Sequence, residues 1–142
     1  MQIKQSTGPK ENWCGPSHVG WQGAECLEIT ATHAGQGPFA DSAVLEDGLR
    51  IPVTENSELS YVIFPDYIGE RNDYDFEYAA QHLAVDLVFE DGTRLSGYSL
   101  PDQNGNPCTA RAQGETKCLY TRQWNRIAVR LGSLAGKTVS GI

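Results

Sequence analysis

Apolar and polar residues alternate along much of the chain after residue 26. A period of two is typical of β-strands, because successive side chains of a strand point to opposite faces of a sheet. The alternation predicts strands at Leu27–Thr32, Gly48–Thr54, Glu58–Pro65, Trp124–Leu131 and Thr138–Ile142. Trp124 begins the fourth of these stretches, which predicts a core position for its ring.

A β-hairpin is the clearest local prediction. His82–Phe89 alternates, Asp91 and Gly92 supply an Asp-Gly turn, and Arg94–Tyr98 returns as the partner strand. Apolar residues at helical spacing do not occur. The pattern therefore predicts an all-β domain, a β-sandwich or jelly roll of about seven or eight strands.

The first 23 residues differ from the rest of the chain. They are rich in Gly, Pro, Ser and Trp and show no periodicity, which predicts a loop-like arm. With 142 residues the chain has room for one domain. We therefore expect residues 24–142 to form the sandwich and residues 1–23 to form an N-terminal arm of the same domain.

The four cysteines lie in two local pairs, one near each end of the chain. Four cysteines allow three connectivities, and pairing Cys14 with Cys26 and Cys108 with Cys118 is the simplest. Each bridge would stabilise the fold by roughly 3 kcal/mol. Because disulfides persist in oxidising compartments, this pairing predicts an exported, extracellular domain whose arm is tied down by the first bridge.

Two metal sites compete with simpler interpretations. Four potential zinc ligands lie near the N-terminus, namely Cys14, His18, Cys26 and His33. Their spacing matches no common zinc template, so structural disulfides are preferred. Asp102–Asn106 resembles half a calcium loop without its closing glutamate, and an Asx turn is preferred there. A structural calcium ion elsewhere stays open.

The composition narrows the classes of partner. The chain is 39% hydrophobic and carries 18 acidic against 11 basic residues, a net charge of −7. Phosphates repel a protein of this sign, so nucleic acid and membrane surfaces are not expected partners. No run approaches the roughly 18 apolar residues of a membrane helix. The N-terminus contains no hydrophobic signal segment, which predicts either a cytoplasmic protein or a mature or excised module given a start Met.

Motifs of catalysis are absent from the sequence. It contains no Gly-x-Ser-x-Gly, no His-Glu-x-x-His and no Gly-rich phosphate loop. There are three histidines, and a single one at a strand start, such as His82, is typical of a structural residue. An acidic loop surface accounts for the many carboxylates, although two of them flanking one bond would make a small glycosidase. We therefore expect no enzymatic activity.

Aromatic and polar residues in the predicted loops indicate a carbohydrate-binding surface. Sugar C–H faces pack on aromatic rings, while sugar hydroxyls bond to polar side chains. The candidate contacts are the aromatic residues Trp13, Trp21, Tyr67, Tyr74 and Tyr98, and the hydroxyl partners Asp102, Asn104 and Arg122. The alternative for Trp13 and Trp21 is that they cover the sandwich and one disulfide.

Several stretches, taken together, resemble a known family. They are Leu59–Pro65, Val85–Ser96, Asp102–Gly105, Leu119–Asn125 and Leu134–Val139. In order and spacing they resemble the galactose-binding-like β-sandwich accessory module that precedes the catalytic region in secreted bacterial α-mannosidases of glycoside hydrolase family 92. The resemblance covers about residues 24–142. It implies a jelly roll, export and an accessory role beside a glycosidase, and it brings no catalytic residues with it.

Two hypotheses of function follow. The first is a non-catalytic carbohydrate-binding module, excised from a secreted glycoside hydrolase, that targets its attached catalytic domain to a glycan. The second is a structural accessory domain that braces the catalytic region without binding sugar. The brace predicts an exposed apolar patch that the full enzyme would cover. We expect the module to be a monomer in either case.

Overall fold

A computed structural model describes residues 1–32, 40–67 and 80–142. Its strands are β1 (Gln2–Ser6), β2 (Cys26–Thr30), β3 (Asp47–Pro52), β4 (Glu58–Ile63), β5 (Val88–Phe89), β6 (Asn125–Arg130) and β7 (Thr138–Gly141). They form three antiparallel sheets in the described part of the chain, ordered β1-β2, β3-β7-β5 and β4-β6. The helices are α1 (Ala110–Thr116) and the 3-10 turns Trp21–Gly23, Leu95–Tyr98 and Gly132–Leu134. The predicted all-β class is confirmed.

The core lies between strands β4, β6 and the β5–β7 pair. Phe89, Leu95, Ile127 and Val129 are essentially inaccessible to solvent. Strand β6 keeps the predicted alternation at its ends, since Arg126 and Arg130 are exposed. This apolar interior holds the fold together, because burial of a large aliphatic or aromatic side chain contributes about 1.5–3 kcal/mol.

The predicted hairpin is partly confirmed. The Asp-Gly turn is present, with the amide of Gly92 donating to the carbonyl of Phe89 and the amide of Phe89 to that of Thr93. However, the first strand shrinks to β5, and the return strand becomes a 3-10 turn. The carboxylate of Asp86 explains the turn, because it accepts from the Ser96 amide at 2.9 Å and the Ser96 hydroxyl at 2.7 Å. Such side-chain bonds compete with strand pairing.

Helix α1 lies in a stretch for which the sequence predicts no regular structure. Its segment has no apolar stripe, which is the usual signal for a helix. Thr109 caps it by accepting from the Ala112 amide at 3.1 Å. Gln113, a polar residue in its middle, is completely buried and holds the helix against the core.

The two predicted disulfides are not supported, because all four cysteines are unbonded. The thiols of the first pair point at different partners. Cys14 donates to Gln123 Oε1 at 3.1 Å, and Cys26 lies 3.6 Å from the carbonyl of Ser6. In the second pair, Cys118 Sγ lies 2.9 Å from Gln113 Oε1 and Cys108 Sγ lies 3.6 Å from the Tyr61 hydroxyl. Because the four cysteines are unbonded, they do not support export of the domain.

The arm is not entirely loop-like either. Its first residues form β1, which pairs along its whole length with β2. The remainder is held by hydrogen bonds to the chain instead of by a disulfide. The amide of Trp13 donates to the carbonyl of Arg122 at 2.8 Å, and the amide of Arg122 donates to the carbonyl of Pro65 at 2.8 Å.

Candidate functional site

Residues 11–23 and the loop 120–124 together form a surface that we call the arm face. Asn125, at the start of β6, fixes this loop. Its Oδ1 accepts from the Tyr120 amide at 2.8 Å, and its Nδ2 donates to the carbonyls of Tyr120 at 2.8 Å and Gln123 at 2.9 Å. The loop therefore presents Arg122, Gln123 and Trp124 in a defined arrangement.

Three of the residues predicted from the sequence lie together here, namely Trp13 and Arg122 of the arm face and the neighbouring Tyr67. The guanidinium carbon of Arg122 lies 4.5 Å from the ring centroid of Tyr67 and 5.5 Å from that of Trp13. Arg122 is only 8% exposed. A guanidinium held against two aromatic rings gains cation–π attraction and covers both rings.

The polar capacity of Arg122 is used within the chain. It donates to Glu11 at 2.7 Å and to Asp66 at 3.2 Å, and Glu11 also accepts from the Trp13 indole at 2.9 Å. The backbone of Arg122 has φ of 55°, a conformation that L residues rarely adopt. The contacts of Arg122 with Trp13 and Tyr67 thus hold the arm in place. Because its N–H groups already donate within the chain, Arg122 has few donors left for a sugar.

A groove opens in the arm face beside Trp21. It has a volume of about 370 Å³, which suits one or two sugar rings. Trp21 is 42% exposed and packs edge to face on Trp124, with ring centroids 6.3 Å apart. Phe64 supports Trp124 from behind at 5.2 Å. Trp124 is therefore half-buried and lines the groove, a more exposed place than the core position expected for it.

Neutral polar groups surround this aromatic wall. The amides of Asn12, Gln22 and Gln123 line the groove. Asn12 Oδ1 accepts from the Cys14 amide at 3.0 Å, and Gln123 Oε1 accepts from the Cys14 thiol at 3.1 Å, which orients both side chains. Amides beside an exposed indole can bind hydroxyls and a C–H face together. No sequence pattern marks these amides, since they are ordinary polar residues in irregular segments.

A second cavity of about 350 Å³ shares Gln123 with the groove as a lining residue. Trp13 and Tyr120 stand at it, and Gln81 and Thr121 line it. None of these except Trp13 was predicted as a site residue. No pattern in a single sequence marks Gln81 or Thr121, because their importance depends on what surrounds them.

The remaining predicted residues lie elsewhere. Asp102 is buried, and its Oδ1 accepts from the amides of Asn104 at 2.8 Å and Asn106 at 3.0 Å. Its Oδ2 accepts from Gln113 at 3.1 Å. Asn104 is exposed at the tip of the same loop. Asp102 therefore has a structural environment, with both oxygens engaged inside the chain.

Tyr98 belongs to a third group of residues. Its hydroxyl donates to Thr93 at 3.2 Å, and its ring packs on Phe89 with Lys137 above it, 5.3 Å from the centroid. Side-chain hydrogen bonding with Lys137 lowers the pKa of Tyr98. Tyr98 lines neither the groove beside Trp21 nor the cavity beside Trp13. Tyr74 and His33 lie outside the described residues.

The preferred Asx turn at Asp102 is present. Because both carboxylate oxygens already accept N–H donors, this loop does not fit a calcium ion. Among residues 1–32, 40–67 and 80–142, no three His, Cys, Asp or Glu side chains cluster as a metal site would require. Calcium binding elsewhere stays a prediction.

Comparison with known proteins adds no family. The chain matches no protein-family model and no curated protein. The resemblance to the mannosidase accessory module therefore stays a prediction.

In the described part of the chain, no helix is both long and apolar enough to cross a membrane.

Proposed function

We propose that this chain is a non-catalytic carbohydrate-binding module of a secreted glycoside hydrolase. The observation that carries the proposal is the groove in which exposed Trp21 stands on Trp124 among neutral amides. A neutral sugar ring suits such a groove because it offers both an apolar face and hydroxyl edges. The resemblance to an accessory module supports the proposal independently.

The groove favours a neutral ligand over a charged one. No acidic or basic side chain lines it among the described residues. An ionic ligand would lose its hydration there without gaining an ion pair. Sugar hydroxyls lose little, because amide groups replace their bonds to water.

The proposed mechanism is targeting. A shallow groove of this size binds a single sugar weakly. Because the module is attached to the catalytic domain, its binding raises the local concentration of glycan around that domain. Export of the module is part of the proposal, and it now depends on the resemblance alone. No catalytic role is assigned to the chain.

The test is glycan binding by the isolated chain and by Trp21→Ala. We expect binding on a glycan array and by calorimetry, with a loss of tenfold or more in Trp21→Ala. Tyr98→Ala is the matched control, because it removes a comparably exposed ring that lies outside the groove. Equal binding by Trp21→Ala and the unaltered chain would contradict the assignment of the groove.

A second candidate function is the structural brace, and one observation favours it. The β1–β2 ribbon exposes an apolar face formed by Ile3, Leu27 and Ile29. Ile3 lies opposite Ile29, and Gln5 lies opposite Leu27, so these side chains share one face of the ribbon. An apolar face on a ribbon of this kind is typical of a surface that a neighbouring domain covers.

The brace predicts a different result in the same titration. No glycan would release heat or shift a resonance. Ile29→Thr would lower the binding of a hydrophobic dye without lowering the stability of the isolated chain, because its side chain is half exposed. Glycan binding that is sensitive to Trp21→Ala would reject the brace as the sole function.

A further inference from the structure

The cavity beside Gln81, which we call the Gln81 pocket, is lined by two residues whose buried side-chain oxygens have no hydrogen-bond partner among the described residues. Gln81 and Thr121 line it and are 4% and 3% exposed. Gln81 Oε1 and Thr121 Oγ1 are both buried and accept or donate no hydrogen bond among the described residues. Buried polar atoms are nearly always paired, so two orphans at one cavity are unusual.

The chemistry of the two orphans restricts the ligand. Gln81 Oε1 can only accept, so it requires a donor, whereas the hydroxyl of Thr121 can donate or accept. Two neighbouring sugar hydroxyls supply this combination, because each hydroxyl donates one hydrogen bond and accepts others. Lys117 also lines the pocket. At the two orphan oxygens, however, a carboxylate or phosphate oxygen would meet the lone pairs of Gln81 Oε1, which disfavours an anion at that position.

Aromatic surface completes the pocket. Trp13 is partly exposed and Tyr120 is largely exposed, and both stand at its wall. Trp13 is held in place by Arg122, whose guanidinium lies 5.5 Å from its ring. A fixed indole beside two buried oxygens can bind the C–H face of a ring and its hydroxyl edge at once.

We infer that the Gln81 pocket is a second saccharide subsite, which binds a vicinal diol of a neutral pyranose through Gln81 and Thr121. This inference rests on the proposed function. Gln123 lines both the Trp21 groove and the Gln81 pocket, so the two subsites are adjacent and one oligosaccharide can contact both. Because both orphan oxygens are shielded from solvent, this binding mode requires that side chains at the wall rotate when the sugar binds.

The experiment compares short and longer sugars on matched variants. The probes are the methyl pyranosides of glucose, galactose and mannose and the disaccharides of the same sugars, titrated by calorimetry. The variants are Thr121→Val and Gln81→Met, which keep the side-chain size and remove the orphan oxygen. Thr138→Val in β7, away from both cavities, is the matched control. Thermal unfolding is measured on every variant.

The unaltered chain should bind a disaccharide at least tenfold more tightly than the monosaccharide. Thr121→Val and Gln81→Met should each remove this gain while the Trp21 groove still binds the monosaccharide. Neither variant should lower the melting temperature, because the oxygens it removes have no partner. A merely structural role would instead lower the melting temperature and spare the gain for disaccharides.

The possible failures are distinguishable. If Trp21→Ala abolishes binding and both pocket variants bind like the unaltered chain, the second subsite is wrong and the proposed function stands. If no probe binds the unaltered chain at all, the proposed function fails and the subsite fails with it. A gain for disaccharides that Thr138→Val also removes would overturn the assignment to the Gln81 pocket.

Discussion

The arm face and the Asp102 loop contain similar kinds of residue and use them differently. In the Asp102 loop, every oxygen of the carboxylate accepts a hydrogen bond from the chain, and the residue is buried. In the arm face and the adjoining Gln81 pocket, Trp21 is exposed and the oxygens of Gln81 and Thr121 have no partner among the described residues. Polar groups whose hydrogen bonds the fold satisfies stabilise it, whereas buried unsatisfied groups beside a cavity can gain a partner when a ligand binds.

The comparison also separates two kinds of aromatic residue. Trp13 and Tyr67 enclose Arg122 and hold the arm. Trp21 packs edge to face with Trp124, and its exposed ring lines the groove. Exposure alone does not distinguish them, because Trp13 and Trp21 are similarly exposed. The identity of the neighbours does.

The largest predicted effect is loss of stability in Asp102→Ala. We expect the free energy of unfolding to fall by about 3 kcal/mol, because the buried Gln113 amide and two backbone amides lose their acceptor. Asp102→Asn should lie between, since it keeps one acceptor oxygen. Asn104→Ala, exposed in the same loop, is the control and should change stability by less than about 0.5 kcal/mol. Urea denaturation measures the stability of all three variants. An Asp102→Ala variant as stable as the unaltered chain would contradict a stabilising role for the Asp102 carboxylate.

Thiol reactivity should also differ between the arm and the surroundings of the Asp102 loop. Cys14 in the arm is exposed, whereas Cys108 beside the Asp102 loop is buried, and burial raises the pKa of its thiol. We expect Cys14 to react with iodoacetamide at pH 8 about a hundredfold faster than Cys108, because the thiolate is the reactive form. Peptide mass spectrometry measures both rates. Unfolding in urea should make all four thiols reactive, and fewer than four would restore the disulfide prediction.

Removal of the Arg122 side chain should release the arm. We expect Arg122→Ala to lower the free energy of unfolding by about 2 kcal/mol, a modest figure because Glu11 and Asp66 are partly exposed and screened by water. Alanine, unlike glycine, is as restricted as arginine at the backbone φ of 55°. The change in the free energy of unfolding therefore measures the loss of the Arg122 side chain. The control is Arg126→Ala, an exposed residue paired with exposed Glu58, which should cost less than about 0.5 kcal/mol. Equal losses in the two variants would contradict a special role for Arg122.

The smallest effect is an acid dependence at the hairpin turn. The hydrogen bond from the Lys137 ammonium, and next those from Thr93, hold the pKa of Asp91 well below its usual range. A lowered folded-state pKa stabilises the fold above the unfolded value, about pH 4, and this contribution is lost as the pH falls below it. Asp91→Asn should therefore flatten the decline of the urea midpoint between about pH 4 and pH 2. Glu25→Gln, an exposed control, should leave the slope unchanged, and a shared change would indicate a general charge effect.

Local patterns predicted the local parts of the fold. Alternation located β4 and β6, and Asp91-Gly92 located the turn, because both signals act between neighbours in sequence. Helix α1 was missed because it is held by Gln113, a polar residue that is buried against Asp102. The shortened β5 was missed because Asp86 binds Ser96, ten residues away.

The site could be predicted in part. The two tryptophans of the arm, the acidic charge and the alternation of the strands can be read directly from the residues. That Arg122 pairs with Glu11, that Asp102 is satisfied internally and that the Thr121 hydroxyl is not became visible in the folded chain. Alternation depends on the backbone period of two, whereas hydrogen-bond satisfaction depends on groups that the fold brings together from distant positions.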